Sequence, residues 1–157
     1  MPFSPLTNNR YLDALKERIL VFDGAMGTSL QKMNLTEQDF GGKKLVGCND
    51  CLVLNAPGII RQVHQAFLEA GADVIETDTF RANRLTMQDY GLSDQITELN
   101  FAAAQIARQA ADYETRAAKE LENTFNEITK ESVHTYPDFD KVFDKDVVAV
   151  EDANIEI

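Results

Sequence analysis

Two short apolar runs on either side of one helical segment constrain this chain more than any other feature. The first is Arg18-Ile19-Leu20-Val21-Phe22, which stops at Asp23-Gly24. A run this short, β-branched and ended by glycine predicts a strand buried on both faces, as in a parallel sheet. The second is Ala72-Asp73-Val74-Ile75-Glu76-Thr77. Between them Asn55-Ala56-Pro57 opens a helix, with Asn55 suited to an N-cap and Pro57 to the first turn. Ile60, Val63 and Phe67 form the apolar stripe of that helix, and Gly71 stops it. Strand, loop, helix and strand make a βαβ unit, which implies parallel strands and a right-handed crossover.

The flanking sequence extends this pattern. Leu12 and Leu15 sit at helical spacing in a short helix from Tyr11 to Glu17. Residues 25–31 are too short and mixed to assign, and the polar, glycine-containing stretch 34–50 reads as a long loop. Ser93 caps a long helix in which Ile96, Leu99, Ala103, Ile106, Ala107 and Ala110 keep helical spacing to about Lys130. Residues 133–140, with Pro137, read as loop, and Asp146-Val147-Val148-Ala149-Val150-Glu151 has a strand pattern. The expected class is α/β, with two to three βα units. A (β/α)8 barrel takes roughly 250 residues, so the 157 residues here do not close one alone.

Charge excludes several roles. With 15 Lys and Arg against 26 Asp and Glu, the net charge is −11, which argues against nucleic acid and anionic membrane as partners. No apolar stretch reaches the roughly 18 residues that span a bilayer. The polar N-terminus is unlike a secretory signal, and the expected location is cytoplasmic. The acidity is uneven: residues 1–113 carry 10 basic and 14 acidic side chains, residues 114–157 carry 5 and 12. The latter read as a charged helix running into a solvated acidic tail.

Three clusters are candidates for chemistry. Asp23-Gly24-Ala25-Met26-Gly27-Thr28 follows the first strand, where parallel folds place functional groups. A carboxylate there can receive a ligand ammonium, and the glycines let a ligand approach the backbone. The alternative is an Asx-type turn. Glu76-Thr77-Asp78-Thr79-Phe80 follows the second strand on the same rim, as a site or as the polar exit such units need. Cys48-Asn49-Asp50-Cys51 has the CxxC spacing of zinc or redox sites. No second CxxC is present, so two plain loop or core thiols are the favoured reading. His64, beside the apolar stripe, reads as a surface or boundary residue rather than a ligand.

These residues resemble a family. Arg18 to Thr28 is similar to the opening of the homocysteine S-methyltransferase domain, most of all the homocysteine-binding module of the cobalamin-dependent methionine synthases. Glu37-Gln38-Asp39-Phe40-Gly41-Gly42 resembles its acidic-Phe-Gly loop, and Gly47-Cys48-Asn49-Asp50 its Gly-Asn-Asn-Asp stretch. Glu69-Ala70-Gly71-Ala72-Asp73-Val74-Ile75-Glu76-Thr77-Asp78-Thr79-Phe80 resembles its segment ending in Glu-Thr-Asn-Thr-Phe, with Asp78 where the family has Asn. Asn100-Phe101-Ala102-Ala103-Ala104 continues the match, which covers roughly residues 9–113.

The resemblance implies a partial (β/α)8 barrel over residues 1–113, homocysteine-binding, followed by a divergent acidic helix and tail over 114–157. It implies contacts from Asp23, Gly24 and Thr77 to the amino-acid head of homocysteine, and methyl transfer to the homocysteine thiolate in methionine biosynthesis. It also implies zinc held by three cysteines from later strands. Those segments are absent here, and Cys48 and Cys51 occupy other positions, so no metal ligand and no catalytic residue is assigned. Cobalamin would enter only through modules outside this chain. The expectation is a fragment that binds homocysteine and self-associates or takes a complementing half-barrel. The alternative is a non-catalytic remnant serving as an interaction protein.

Overall fold

The computed structural model describes residues 10–131 and 148–150, with the backbone alone for 125–131 and 148–150. The segment before Arg10 and the loop expected over 133–140 lie outside the described residues. Helices dominate. In order they are α1 (Arg10–Glu17), α2 (Met26–Gln31), α3 (Leu52–Asn55), α4 (Pro57–Glu69), α5 (Arg84–Met87) and α6 (Ile96–Glu131). Two strands, β1 (Val74–Glu76) and β2 (Val148–Val150), pair in parallel with Val74 opposite Val148. The α/β expectation thus survives as a small parallel ladder within a mostly helical chain, and the described residues form no barrel.

The run 18–22 departs from expectation. It joins β1 only through a parallel bridge between Phe22 and Val74. Ile19 is 89% exposed and Val21 56%, so this is not a strand buried on both faces. Asp73 accounts for the local geometry. Its Oδ2 accepts from the Val21 amide at 3.0 Å, and its Oδ1 pairs with the Arg18 guanidinium at 2.8 Å. The Val21 carbonyl accepts from the amides of Asp73 and Val74 at 2.7 and 3.2 Å. A side chain thus does part of the work of a second ladder, and no described element covers the outer face.

Helix α4 begins one residue later than its sequence signals suggest. Ala56 is its N-cap residue and Pro57 its first helical position. Asn55 ends α3, and its Nδ2 donates to the Phe40 carbonyl at 2.8 Å instead of capping α4. The far end matches expectation. Gly71, at φ +98°, donates to the Leu68 carbonyl, and Ala72 donates to the Phe67 carbonyl, which satisfies two carbonyls of the last turn. Ser93 does not cap α6. It opens a short 3-10 turn, and its hydroxyl donates to the Arg84 carbonyl at 3.3 Å.

The main core lies between α3, α4 and α6, where Leu52, Val53, Ile60, Val63, Leu99, Ala103 and Ile106 are buried. Each such aliphatic side chain contributes roughly 1.5–3 kcal/mol on removal from water. The stretch 34–50 is not a plain surface loop, because Phe40 and Cys48 enter this core. A smaller cluster of Leu68, Ile75, Ala107 and Ala110 packs beneath β1. Helices α4 and α6 therefore fix the position of β1, and β1 fixes the rim where its chain leaves the ladder.

Candidate functional site

The rim is assembled by hydrogen bonds between the ends of the two apolar runs. The Asp23 amide donates to the Val74 carbonyl at 2.9 Å, and Asp23 Oδ1 accepts from the Glu76 amide at 3.0 Å. The two clusters expected to share a rim do so. Asp23, Gly24 and Thr77 all line one cavity of 480 Å³, together with Asn49, Asp50, Glu76, Asp78 and Arg81. Gly24 has open space where a side chain would project, so its lack of one leaves the cavity wide. Ala25 beside it adopts a left-handed conformation at φ 51°, a strained geometry for alanine of order 1 kcal/mol or more.

Electrostatics set this cavity apart. Burial pushes the Asp23 carboxyl up to about 6; the Glu76 amide pulls it back and the Glu76 charge adds to the rise. Burial also pushes Asp78 up to about 7, helped by the negative charge of Asp50 and opposed by Arg81. Asp50 is itself buried and takes the Arg81 amide on Oδ1 at 2.9 Å, with the Arg81 Nε 3.7 Å from Oδ2. Arg81 further donates to the Gly47 carbonyl at 3.1 Å. Thr77 and Thr79 share a hydroxyl–hydroxyl hydrogen bond at 2.7 Å, both buried. The result is a site rich in carboxylates, with Arg81 its only cation among the described residues. Such a site favours a cationic ligand group.

Sequence reasoning missed Arg81 and undervalued Asn49 and Asp50. The signal was present in the spacing: Asp50 lies between the two cysteines, and Arg81 follows the rim cluster directly. The cysteines are also not two plain thiols. Cys48 and Cys51 are bonded to each other as a disulfide, and both are buried in the core. His64 is not a boundary residue, since its ring is fully buried with no hydrogen-bond partner on either nitrogen among the described residues. It lies at the i+4 position from Ile60, on the core stripe itself.

Thr77 also borders a second cavity, of 560 Å³, against the exposed Phe101, Ala104 and Arg108 of α6. Among the described residues, no group of three or more His, Cys, Asp or Glu side chains is arranged to hold a metal ion. No helix among them is long and apolar enough to cross a membrane.

Comparison with known proteins bears on this rim. The chain is 45% identical over 101 residues to methionine synthase of Mycobacterium tuberculosis, a stretch that covers 64% of this chain and 8% of that protein. Its fold is similar to the homocysteine methyltransferase MmuM of Escherichia coli in the oxidized form, with TM-score 0.55 and 28% identity, over 74% of this chain and 37% of that one. The metallated form of the same enzyme matches with TM-score 0.52 at 26% identity, over 74% of this chain and 36% of that one. The chain therefore spans well under half the length of these relatives. A family model described as homocysteine S-methyltransferase matches residues 20–149. That match takes in Asp23, Gly24 and Thr77 and runs over most of the sequence, so this chain belongs to the homocysteine S-methyltransferase family.

Proposed function

We propose that this chain is the homocysteine-binding portion of a methionine synthase-type methyl transfer. In this reading the parallel ladder and its helices are the first units of a (β/α)8 barrel. Residues 1–113 form the binding part and 114–157 a divergent acidic continuation. One observation carries the reading: the cavity at the ends of the two runs is lined by Asp23, Gly24 and Thr77. Asp23 takes the ammonium of homocysteine, Gly24 leaves room for the amino-acid head against the backbone, and the Thr77 hydroxyl borders the same space. An ammonium–carboxylate hydrogen bond in a half-buried site is charge-assisted and among the stronger contacts a small pocket makes.

The family also implies a zinc held by cysteine thiolates. The described residues do not fit such a site. Both cysteines are tied up in one buried disulfide, and no ligand group of three is present among the described side chains. The chemistry assigned to this chain therefore stops at binding the amino-acid head. The cysteines, the methyl donor and any cobalamin belong to other segments or chains, and the expected setting is cytoplasmic.

Isothermal titration of L-homocysteine into the chain tests the reading. A saturable heat that Asp23→Ala abolishes is expected. No heat from a sample with the cooperative melt of a folded protein would leave the alternative, a non-catalytic interaction protein.

A further inference from the structure

We propose that Asp78 is a second contact for the ligand ammonium, and so a determinant of which ligands this cavity accepts. This rests on the cavity being the homocysteine pocket and goes one residue beyond it. Asp78 is only 8% exposed, and its Oδ2 is buried with no hydrogen-bond partner among the described residues. The same side chain lines the cavity with Asp23, Glu76 and Asp50. Buried carboxylate oxygens are normally paired, because leaving one unpaired forfeits its hydration without return.

Among the described residues no neighbouring group meets that need. Arg81, the cation of this cavity, is engaged by Asp50 and the Gly47 carbonyl. The Thr77 and Thr79 hydroxyls are hydrogen-bonded to each other. Asp23 already accepts from the Glu76 amide on Oδ1. A ligand ammonium has three N–H donors. One carboxylate does not use them all, and Asp78, whose Oδ2 is buried and unpaired among the described residues, lines the same cavity. The arrangement suits a primary ammonium and gives no return to an uncharged ligand head. The carboxyl, which burial raises to about 7, ionises on contact with the cation, so binding displaces its proton. The other charged groups facing this space are Asp23, Asp50, Glu76 and Arg81.

The test compares wild type with Asp78→Asn, a substitution that keeps the shape and removes the charge. L-homocysteine and 4-mercaptobutyrate, the same skeleton without the amino group, are titrated into each by calorimetry. Homocysteine is expected to bind Asp78→Asn at least about tenfold more weakly, while 4-mercaptobutyrate binds both alike. At pH 7, where Asp23 is already mostly ionised, homocysteine binding to wild type is expected to release roughly half a proton, read from titrations in two buffers of different ionisation heat. Unchanged homocysteine affinity in Asp78→Asn, or equal weakening for both compounds, overturns the role of Asp78 and leaves the pocket reading standing. Wild type that binds neither compound overturns both. Should Asp78→Asn fail to fold, Asp78→Ser takes its place in the same comparison, and unchanged homocysteine affinity there refutes the assignment.

Discussion

His64 makes one face of α4 sensitive to acid. Its ring is buried without a partner among the described residues, and burial holds its pKa down at about 4. The folded value lies below the unfolded one, so the folded state holds this proton less tightly. The stability from a neutral His64 is present above about pH 6.5 and is lost as pH falls toward 4. Urea unfolding is expected to show about 2 kcal/mol less stability at pH 5 than at pH 7 from this residue. Asp23 and Asp78 act in the opposite sense. Their folded pKa values are raised, so their contribution is full below about pH 4 and is lost as pH rises through 6 and 7. The measurement is therefore the difference between wild type and His64→Leu across pH 5 to 7. A difference that does not change with pH would refute the assignment. The position was legible in the sequence, because His64 keeps the register of Ile60. Its polarity argued the other way, and only the packing decides between the two. That Asp23 and Thr77 would share one rim was legible for a different reason, since parallel units place such residues at strand ends whatever surrounds them.

At the level of elements, helices with a strong 3.6-residue period were the most readable parts. Helices α4 and α6 follow their apolar stripes, and the glycine stop at Gly71 has the expected geometry. The stretch 34–50 was not readable, because its order comes from side chains far along the chain. Asn55 pins it at Phe40, and Gly41 sits at φ +87° with the Asn55 side chain filling the space a methyl group would need. Gly41→Ala is therefore expected to cost about 1–3 kcal/mol from combined strain and overpacking, and Asn55→Ala about 1 kcal/mol from the lost hydrogen bond. Chemical denaturation of both variants checks the pair. A neutral Gly41→Ala would show that the loop relaxes freely. The disulfide closes only the short segment between Cys48 and Cys51, so chain entropy allows it about 2 kcal/mol. Denaturation with and without reductant is expected to differ by no more than that. A total loss of folding on reduction would show that the core depends on the bond. The run 18–22 shows the limit of pattern reading: an apolar run specifies burial only where another element covers it.

At the scale of the whole molecule, the described residues leave apolar surface exposed along one edge. Ile19, Val21 and Phe22 lie there at 89%, 56% and 42% exposure, and Phe80 at the rim is 94% exposed. An open strand edge beside apolar side chains favours pairing with another chain. We therefore expect sedimentation velocity to show self-association. The net charge of −11 opposes it, so association should strengthen as salt screens repulsion. Val21→Lys should weaken it, and a salt-independent monomer would contradict this account of the edge. At the rim, two runs some fifty residues apart are held together by Asp23 to make one pocket. Nitrogen-15 NMR during addition of L-homocysteine tests it most directly. Saturable shifts are expected in the backbone amides of Gly24, Ala25, Thr77 and Asp78, with α1 and the outer turns of α6 unmoved. Shifts confined to the α6 groove around Phe101, or none at all in a well-dispersed spectrum, would contradict it.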